Sequence, residues 1–75
     1  MTKRKDPLLR SLGWRVRQLR ESKAWTQEVL GVRAGLDRSY VAGIEAGLRN
    51  PSTKALAKLA RALGVTLSDL FQRVD

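Results

Sequence analysis

Residues that begin and end α-helices recur along this sequence at short intervals. Asp, Ser and Thr accept hydrogen bonds from the free N–H groups at a helix start, and glycine adopts the left-handed conformation that ends a helix. No alternation of polar and apolar residues indicates a strand. The pattern predicts an all-α bundle of five short helices. Apolar residues spaced three or four apart follow each of five candidate N-caps: Asp6, Thr26, Asp37, Ser52 and Thr66.

These residues also set the expected helix boundaries. The first helix should cover residues 8–23, with Gly13 as a weak point in its first turns. The next three should cover 26–34, 38–46 and 53–63, and a short fifth helix begins at Thr66. Trp25 and Phe71 are large apolar residues that we expect in the core. Residues 1–6 are expected to form a flexible basic arm ahead of a single domain over residues 7–75.

The chain is small and lacks the side chains that most often perform chemistry. Its 75 residues include neither Cys nor His, which removes disulfides, the usual metal ligands and the commonest general base at neutral pH. Hydrophobic residues make up 43% of the sequence, enough for one thin core but not for a separate ligand pocket. No apolar run approaches the ~20 residues of a membrane span, and no signal peptide is recognisable. We therefore expect a cytoplasmic protein that is not an enzyme and binds no metal, cofactor or small molecule.

The formal net charge of +8 is unevenly distributed. Residues 1–25 contain eight basic and two acidic side chains, residues 26–50 contain three of each, and residues 51–75 contain four basic and two acidic ones. An excess of this size favours a polyanionic partner such as nucleic acid. For each cation the alternative is a solvated surface or an idle tail. The candidates for phosphate contacts in the basic first third are Arg17, Lys3, Arg4 and Lys5.

Residues 26–46 contain two of the predicted helices, joined by a tight turn. Gly31 is small enough for a close helix crossing, and Gly35 suits a turn residue with positive φ. This is the helix-turn-helix arrangement, whose second helix enters the major groove of DNA. Five residues near the start of that second helix are candidates for contacts outside the protein: Arg38, Ser39, Tyr40, Ala42 and Gly43. For Tyr40 the alternative is a ring that packs over the helix pair with its hydroxyl outward.

Four segments stand in a fixed order along the chain. They are LGWRVRQLR at 12–20, WTQE at 25–28, AGLDRSYVAGIEAGLRNPS at 34–52 and LARALGVTLSDLF at 59–71. Together they resemble the Cro/phage-repressor helix-turn-helix family, also called the XRE family, over nearly all of residues 8–72. The stretch DRSYVAGIE at 37–45 is most similar to the controller proteins, the small regulators of restriction–modification operons.

The resemblance implies roles for individual residues. Gln27, Arg49 and Asn50 would contact DNA phosphates. Arg20 and Glu45 would form a structural ion pair between the first and third helices. The bases in the major groove would be read or bordered by Arg38, Ser39, Tyr40, Ala42 and Gly43, with Arg38 the candidate for bidentate contact to guanine.

The resemblance also implies a function. The chain would be a sequence-specific transcriptional regulator that binds a palindromic operator of double-stranded DNA as a homodimer, with half-sites about 34 Å apart. Autoregulation or control of a restriction–modification operon would fit the controller branch. The dimer surface would lie on the fifth helix, which holds more apolar residues than a thin core can bury: Leu67, Leu70, Phe71 and Val74.

A second hypothesis keeps this fold but makes a protein the main partner, as in an antitoxin that neutralises a toxin and autoregulates its operon. Val29, Val32 and Trp14 are apolar where the resembled family usually has polar residues. They could form a patch that binds another protein, or they could be isolated exposed apolar residues. Catalysis is a third class of function, and the Ser and Lys residues of the chain show no motif for it.

Overall fold

The computed structural model describes residues 6–72. Lys3, Arg4 and Lys5 of the expected basic arm, and Val74 of the expected dimer surface, lie outside the described residues. Within that range the chain folds as five α-helices without a strand, as predicted. The helices are α1 (Pro7–Ser22), α2 (Gln27–Ala34), α3 (Arg38–Glu45), α4 (Thr53–Leu63) and α5 (Leu67–Leu70).

Side-chain caps begin four of the five helices. Asp6 accepts a hydrogen bond from the N–H two residues later at 2.8 Å. The hydroxyls of Thr26 and Ser52 accept from N–H groups three residues later, at 3.1 and 3.0 Å. Thr66 and Asp69 form a reciprocal capping box at the start of α5. Since a cap of this kind stabilises a helix by about 1 kcal/mol, these short helices begin where the sequence predicts.

The start of α3 differs from this prediction. Asp37 occupies the N-cap position with an extended backbone, but its side chain makes no cap hydrogen bond. The carboxylate is exposed, so water can satisfy it in place of the helix N–H groups. The predicted boundary is correct, and the predicted hydrogen bond is wrong.

Every helix contributes to one core. Leu70 is fully buried, so it has no surface to offer a partner, and its assignment to the dimer interface is wrong. Phe71 is 46% exposed, so its assignment to the core is wrong as well. Successive helical residues point about 100° apart, and a single-turn helix therefore buries only one of these neighbours. The core consists of Leu12, Val16, Leu30, Ala34, Val41, Ile44, Leu59, Ala60, Leu63 and Leu70, with Trp25 packed against it.

Gly13 is buried where α1 crosses α3. A methyl group on Gly13 would collide with the carbonyl oxygen of Ile44 and lie 2.7 Å from that of Glu45. α1 runs unbroken through Gly13, so the fraying expected there is not seen. The absent side chain lets the two helices approach closely, which the sequence pattern did not predict. At Gly31 the expectation of a close approach is confirmed, since a methyl group there would lie 2.6 Å from the Leu36 carbonyl oxygen.

The turn between α2 and α3 is built on Gly35, which adopts a left-handed conformation with φ 71°. The Leu36 N–H donates to the Gly31 carbonyl at 2.8 Å and closes the end of α2. This turn sets α3 across α2, and α3 also packs against α1. Of the helices described over residues 6–72, none is long and apolar enough to cross a bilayer.

Candidate nucleic-acid interface

The two faces of α3 differ in character. Val41 and Ile44 are buried, whereas Arg38 and Ser39 are exposed and Ala42 is half-buried. Since successive turns of a helix repeat every 3.6 residues, Ser39 and Ala42 share the side opposite the buried pair. The structure therefore presents the start of α3 and one further turn to solvent, as a helix must to enter a groove.

Arg38 lies at the edge of this face nearest α2. It borders an open groove whose other walls are Arg20, Thr26, Gln27 and Glu28. No carboxylate in the described part of the chain comes within 4.0 Å of the Arg38 guanidinium. Its five N–H donors are therefore free for an acceptor outside the protein. Sequence reasoning missed Glu28 as a wall of this groove, because the pairing of α2 with α3 decides which side chains face Arg38.

Tyr40 lies at the opposite edge of α3, towards α4. Its ring is half-buried and packs against the core. Its hydroxyl oxygen accepts a hydrogen bond from the Ser52 N–H at 3.3 Å. The Tyr40 hydroxyl therefore accepts a hydrogen bond within the protein and can still donate its own proton to an external acceptor.

The loop after α3 brings two predicted phosphate contacts beside this edge. Arg49 and Asn50 are exposed, and Pro51 is buried behind them. The Arg49 guanidinium lies 5.6 Å from the centre of the Tyr40 ring. Gly43 underlies the Arg49 side chain, so it is less open to a base than its predicted role requires.

A buried ion pair joins α1 to α3. Arg20 Nε donates to Glu45 Oε2 at 2.7 Å, and Arg20 Nη2 donates to Glu45 Oε1 at 3.0 Å. The side chains of Arg20 and Glu45 are only 11% and 4% exposed. Arg20 Nη1 also donates to the Trp25 carbonyl at 2.6 Å. The hydrogen bonds that Arg20 donates to the Glu45 carboxylate raise the pKa of Arg20, against the opposing effect of burial.

Gln27 belongs to the same network. Its side-chain amide donates to Glu45 Oε1 at 3.1 Å, which uses one of the two N–H groups predicted to be free for phosphate. This hydrogen bond therefore orients the side chain of Gln27, which is the first residue of α2. Gln27 keeps one side-chain N–H for an external acceptor.

Several other cations have partners within the protein. Arg17 forms an exposed pair with Glu21 at 3.1 Å. Such a surface pair contributes little stability and gives way readily to another anion, so the prediction that Arg17 contacts phosphate stays a prediction. Arg15 Nε donates to the Asp69 carbonyl at 2.9 Å and ties α1 to α5. Sequence reasoning missed this contact, which joins residues 54 positions apart.

Trp25 lies close to two cations. Lys23 Nζ is 5.3 Å and Arg33 Cζ is 4.6 Å from the centre of its ring. Both distances fall in the range of cation–π interactions, which contribute about 0.5–1 kcal/mol at exposed sites. The indole therefore links the segment before α2 to the end of α2.

Large exposed apolar side chains occur on α1, α2, α5 and the loop after α3, and they include Leu8 at 59% and Leu48 at 68% exposed. Leu67 and Phe71, at α5, are 43% and 46% exposed. Trp14 is 49% exposed on α1, and Val32 is 78% exposed on α2, where Val29 is half-buried. Residues 6–72 contain no group of three or more His, Cys, Asp or Glu side chains arranged to hold a metal ion.

Comparison with known proteins identifies relatives of this chain. Control protein C.MunI from a Mycoplasma species is 39% identical over 64 residues, which cover 84% of this chain and 86% of that protein. Control protein C.BamHI from Bacillus amyloliquefaciens is 44% identical over 60 residues, covering 79% and 74%. The crystal structure of the restriction-modification controller protein C.AhdI from Aeromonas hydrophila has a TM-score of 0.82 at 48% identity, covering 84% of this chain and 96% of that one.

The match to a family profile agrees with the fold and with these relatives. The profile of the Helix-turn-helix family HTH_3 matches residues 16–70, which include α2, the turn and α3 in full. The resemblance to the XRE-type family and to its controller branch is thereby confirmed. The chain belongs to the HTH_3 helix-turn-helix family of DNA-binding transcriptional regulators.

Proposed function

We propose that the protein is a sequence-specific transcriptional regulator that binds a palindromic DNA operator as a homodimer. It would act in the cytoplasm by binding alone, without catalysis. The observation that carries this proposal is Arg38. It is an exposed guanidinium on the solvent face of α3, beside Ser39, and no carboxylate among residues 6–72 neutralises it.

In this proposal, each edge of α3 has a different task. Arg38 would read guanine through its two-pronged donor set, and Ser39 and Ala42 would border the neighbouring bases. Gln27 at the start of α2, with Arg49 and Asn50, would contact phosphates and fix the register of α3 in the groove. The basic first third would add attraction that salt weakens and that carries no sequence information.

A second copy of the chain would complete the site. One helix-turn-helix reads few base pairs, and pairing about a two-fold axis doubles the number that are read. Leu67 and Phe71 offer exposed apolar surface at α5, and they would form the centre of the dimer contact. Leu70 contributes only by holding α5 onto its own core.

The names of the relatives favour a transcriptional regulator of the restriction–modification controller type over an antitoxin. They are named control proteins or a restriction-modification controller protein, and that role extends to this chain as part of the proposal. Of the three apolar residues considered for a protein-binding patch, Trp14 lies on α1, and Val29 and Val32 lie on α2.

Selection of binding sites from randomised duplexes at fixed salt tests base reading. We expect a palindromic consensus. Arg38→Ala should then weaken binding to that site by roughly 1–3 kcal/mol and change binding to random duplexes little. Arg61→Ala, which removes an exposed cation from α4, is the control for the change in net charge. Equal losses on both duplexes would show that Arg38 reads no base.

Sedimentation of the free protein tests the dimer. Replacing Leu67 and Phe71 together by Ser should shift a dimer towards monomer at micromolar concentration. Val32→Ser is the matched control, because Val32 is the most exposed of the large apolar residues and lies on α2. A wild-type protein that stays monomeric and occupies only one half-site would contradict the dimer proposal.

A further inference from the structure

The Arg49 side chain lies across α3 at Gly43. A methyl group on Gly43 would lie 2.6 Å from Arg49 Cγ, 3.5 Å from Nε and 3.6 Å from Cβ. Carbon atoms in ordinary contact are about 3.5–4.0 Å apart. Only a glycine at this position therefore leaves room for the stem of the arginine as it stands.

Backbone hydrogen bonds hold the loop in this place. The N–H groups of Leu48 and Arg49 both donate to the Gly43 carbonyl oxygen, at 2.9 and 3.2 Å. The left-handed Gly47, with φ 74°, reverses the chain just before them. The loop therefore turns back over the end of α3 and carries Arg49 towards the exposed side of that helix.

The Tyr40 ring holds the other end of the side chain. Arg49 Cζ lies 5.6 Å from the ring centre, within the range of a cation–π interaction. The ring is itself positioned by the hydrogen bond from the Ser52 N–H to the Tyr40 hydroxyl. No carboxylate of the described chain lies within 4.0 Å of Arg49. The guanidinium is thus oriented but not neutralised.

We propose that Gly43 is a positioning residue: its lack of a side chain lets Arg49 lie on α3, where Tyr40 holds the guanidinium for a DNA phosphate. This inference rests on the proposed function and deepens it, because it gives Gly43 a role other than base contact. A side chain that is already oriented loses less conformational freedom when it binds. Gly43 would therefore affect affinity without touching DNA.

Gly43→Ala tests this arrangement with little damage to the fold. Outside the backbone of α3 itself, the three atoms nearest to the new methyl group all belong to the flexible side chain of Arg49, and alanine favours a helix more than glycine does. We expect α3 to remain intact and Arg49 to leave the helix. Affinity should fall roughly three- to tenfold on cognate and random duplexes alike, as expected for a phosphate contact that loses its orientation.

The same substitution in an Arg49→Ala background is the decisive comparison. Affinity falls as salt rises, and Arg49→Ala alone should make that negative slope of log affinity against log salt concentration shallower by about one. Adding Gly43→Ala should then have no further effect, because no stem remains to displace. Arg61→Ala again controls for net charge. A further loss in the double variant, or an unchanged affinity in Gly43→Ala alone, would overturn the inference.

An NMR measurement on the free protein keeps this test separate from the proposed function. The Arg49 side-chain protons should show ring-current shifts from Tyr40, and Gly43→Ala should move them to random-coil values. Unshifted Arg49 protons in the wild-type protein would overturn the inference. Failure of the wild-type protein to bind any duplex, with the Arg49 shifts present, would instead overturn the proposed function.

Discussion

Removing one partner of the buried pair of Arg20 and Glu45 should strongly destabilise this small domain, because it leaves a buried charge without its partner. Glu45→Ala removes both carboxylate oxygens from Arg20 and also the acceptor of the Gln27 amide. The Arg20 guanidinium stays largely buried with the Trp25 carbonyl as its remaining close acceptor. The Glu21 carboxylate is 3.8 Å away and exposed, so it replaces little of the lost interaction.

The expected loss follows from this geometry. Breaking a buried pair by removing one partner costs about 3–5 kcal/mol. Because Arg20 keeps the Trp25 carbonyl and the more distant Glu21 carboxylate as partners, we expect Glu45→Ala to cost about 3 kcal/mol, the lower end of this range. A domain of this length has a free energy of unfolding of roughly 4–11 kcal/mol. At about 4–8 °C per kcal/mol, the midpoint of thermal unfolding should fall by roughly 12–24 °C.

Urea unfolding followed by circular dichroism measures this loss. Arg17→Ala is the matched control, since it breaks an exposed pair with Glu21 and should cost no more than about 0.5 kcal/mol. The double variant Arg20→Ala/Glu45→Ala should cost less than the sum of its single changes, because it leaves no buried charge without a partner. A loss below 1 kcal/mol in Glu45→Ala, equal to that of Arg17→Ala, would refute the reasoning from burial.

Two further predictions concern the close helix crossing and α5. Gly13→Ala should lower the thermal midpoint, because its methyl group meets backbone oxygens of α3; overpacking costs about 1–3 kcal/mol, more than the roughly 1 kcal/mol gained in helix propensity. An unchanged or higher midpoint would contradict that crossing. The Thr66 N–H donates to the Asp69 carboxylate and lowers the pKa of Asp69 below 3.8. The capping box should therefore be complete above pH 3.8 and be lost as the pH falls through the lowered pKa. In NMR the Thr66 amide should titrate there, and Asp69→Asn should abolish the titration.

Local features of the fold followed from the sequence. The positions of Thr26, Ser52 and Thr66 predicted helix starts that the structure confirms, because capping involves residues only three apart. Gly35 predicted the turn, because glycine is the residue that most readily adopts positive φ. At Asp37 the position was predictable but the hydrogen bond was not, since an exposed carboxylate has water as an alternative partner.

Features that depend on which helices face each other did not follow from the sequence. Gly13 looks like a weak point in α1 until α3 is placed across it. Leu70 and Phe71 are adjacent and similar in hydrophobicity, and only the packing of α5 decides which of them is buried. Gly43 lies in α3 and Arg49 lies in the loop that follows it. The helical spacing of residues does not extend into the loop, so it could not predict their contact.

Glu45 lies on α3, the proposed recognition helix, but its side chain contacts α1 and α2. It connects α3 to Arg20 on α1 and to Gln27 at the start of α2. A recognition helix copied from this protein into another scaffold would therefore carry an unmatched carboxylate unless the arginine moved with it. Conversely, under the proposed function, DNA specificity would be redesigned at Ser39 and Ala42, whose side chains make none of these supporting contacts.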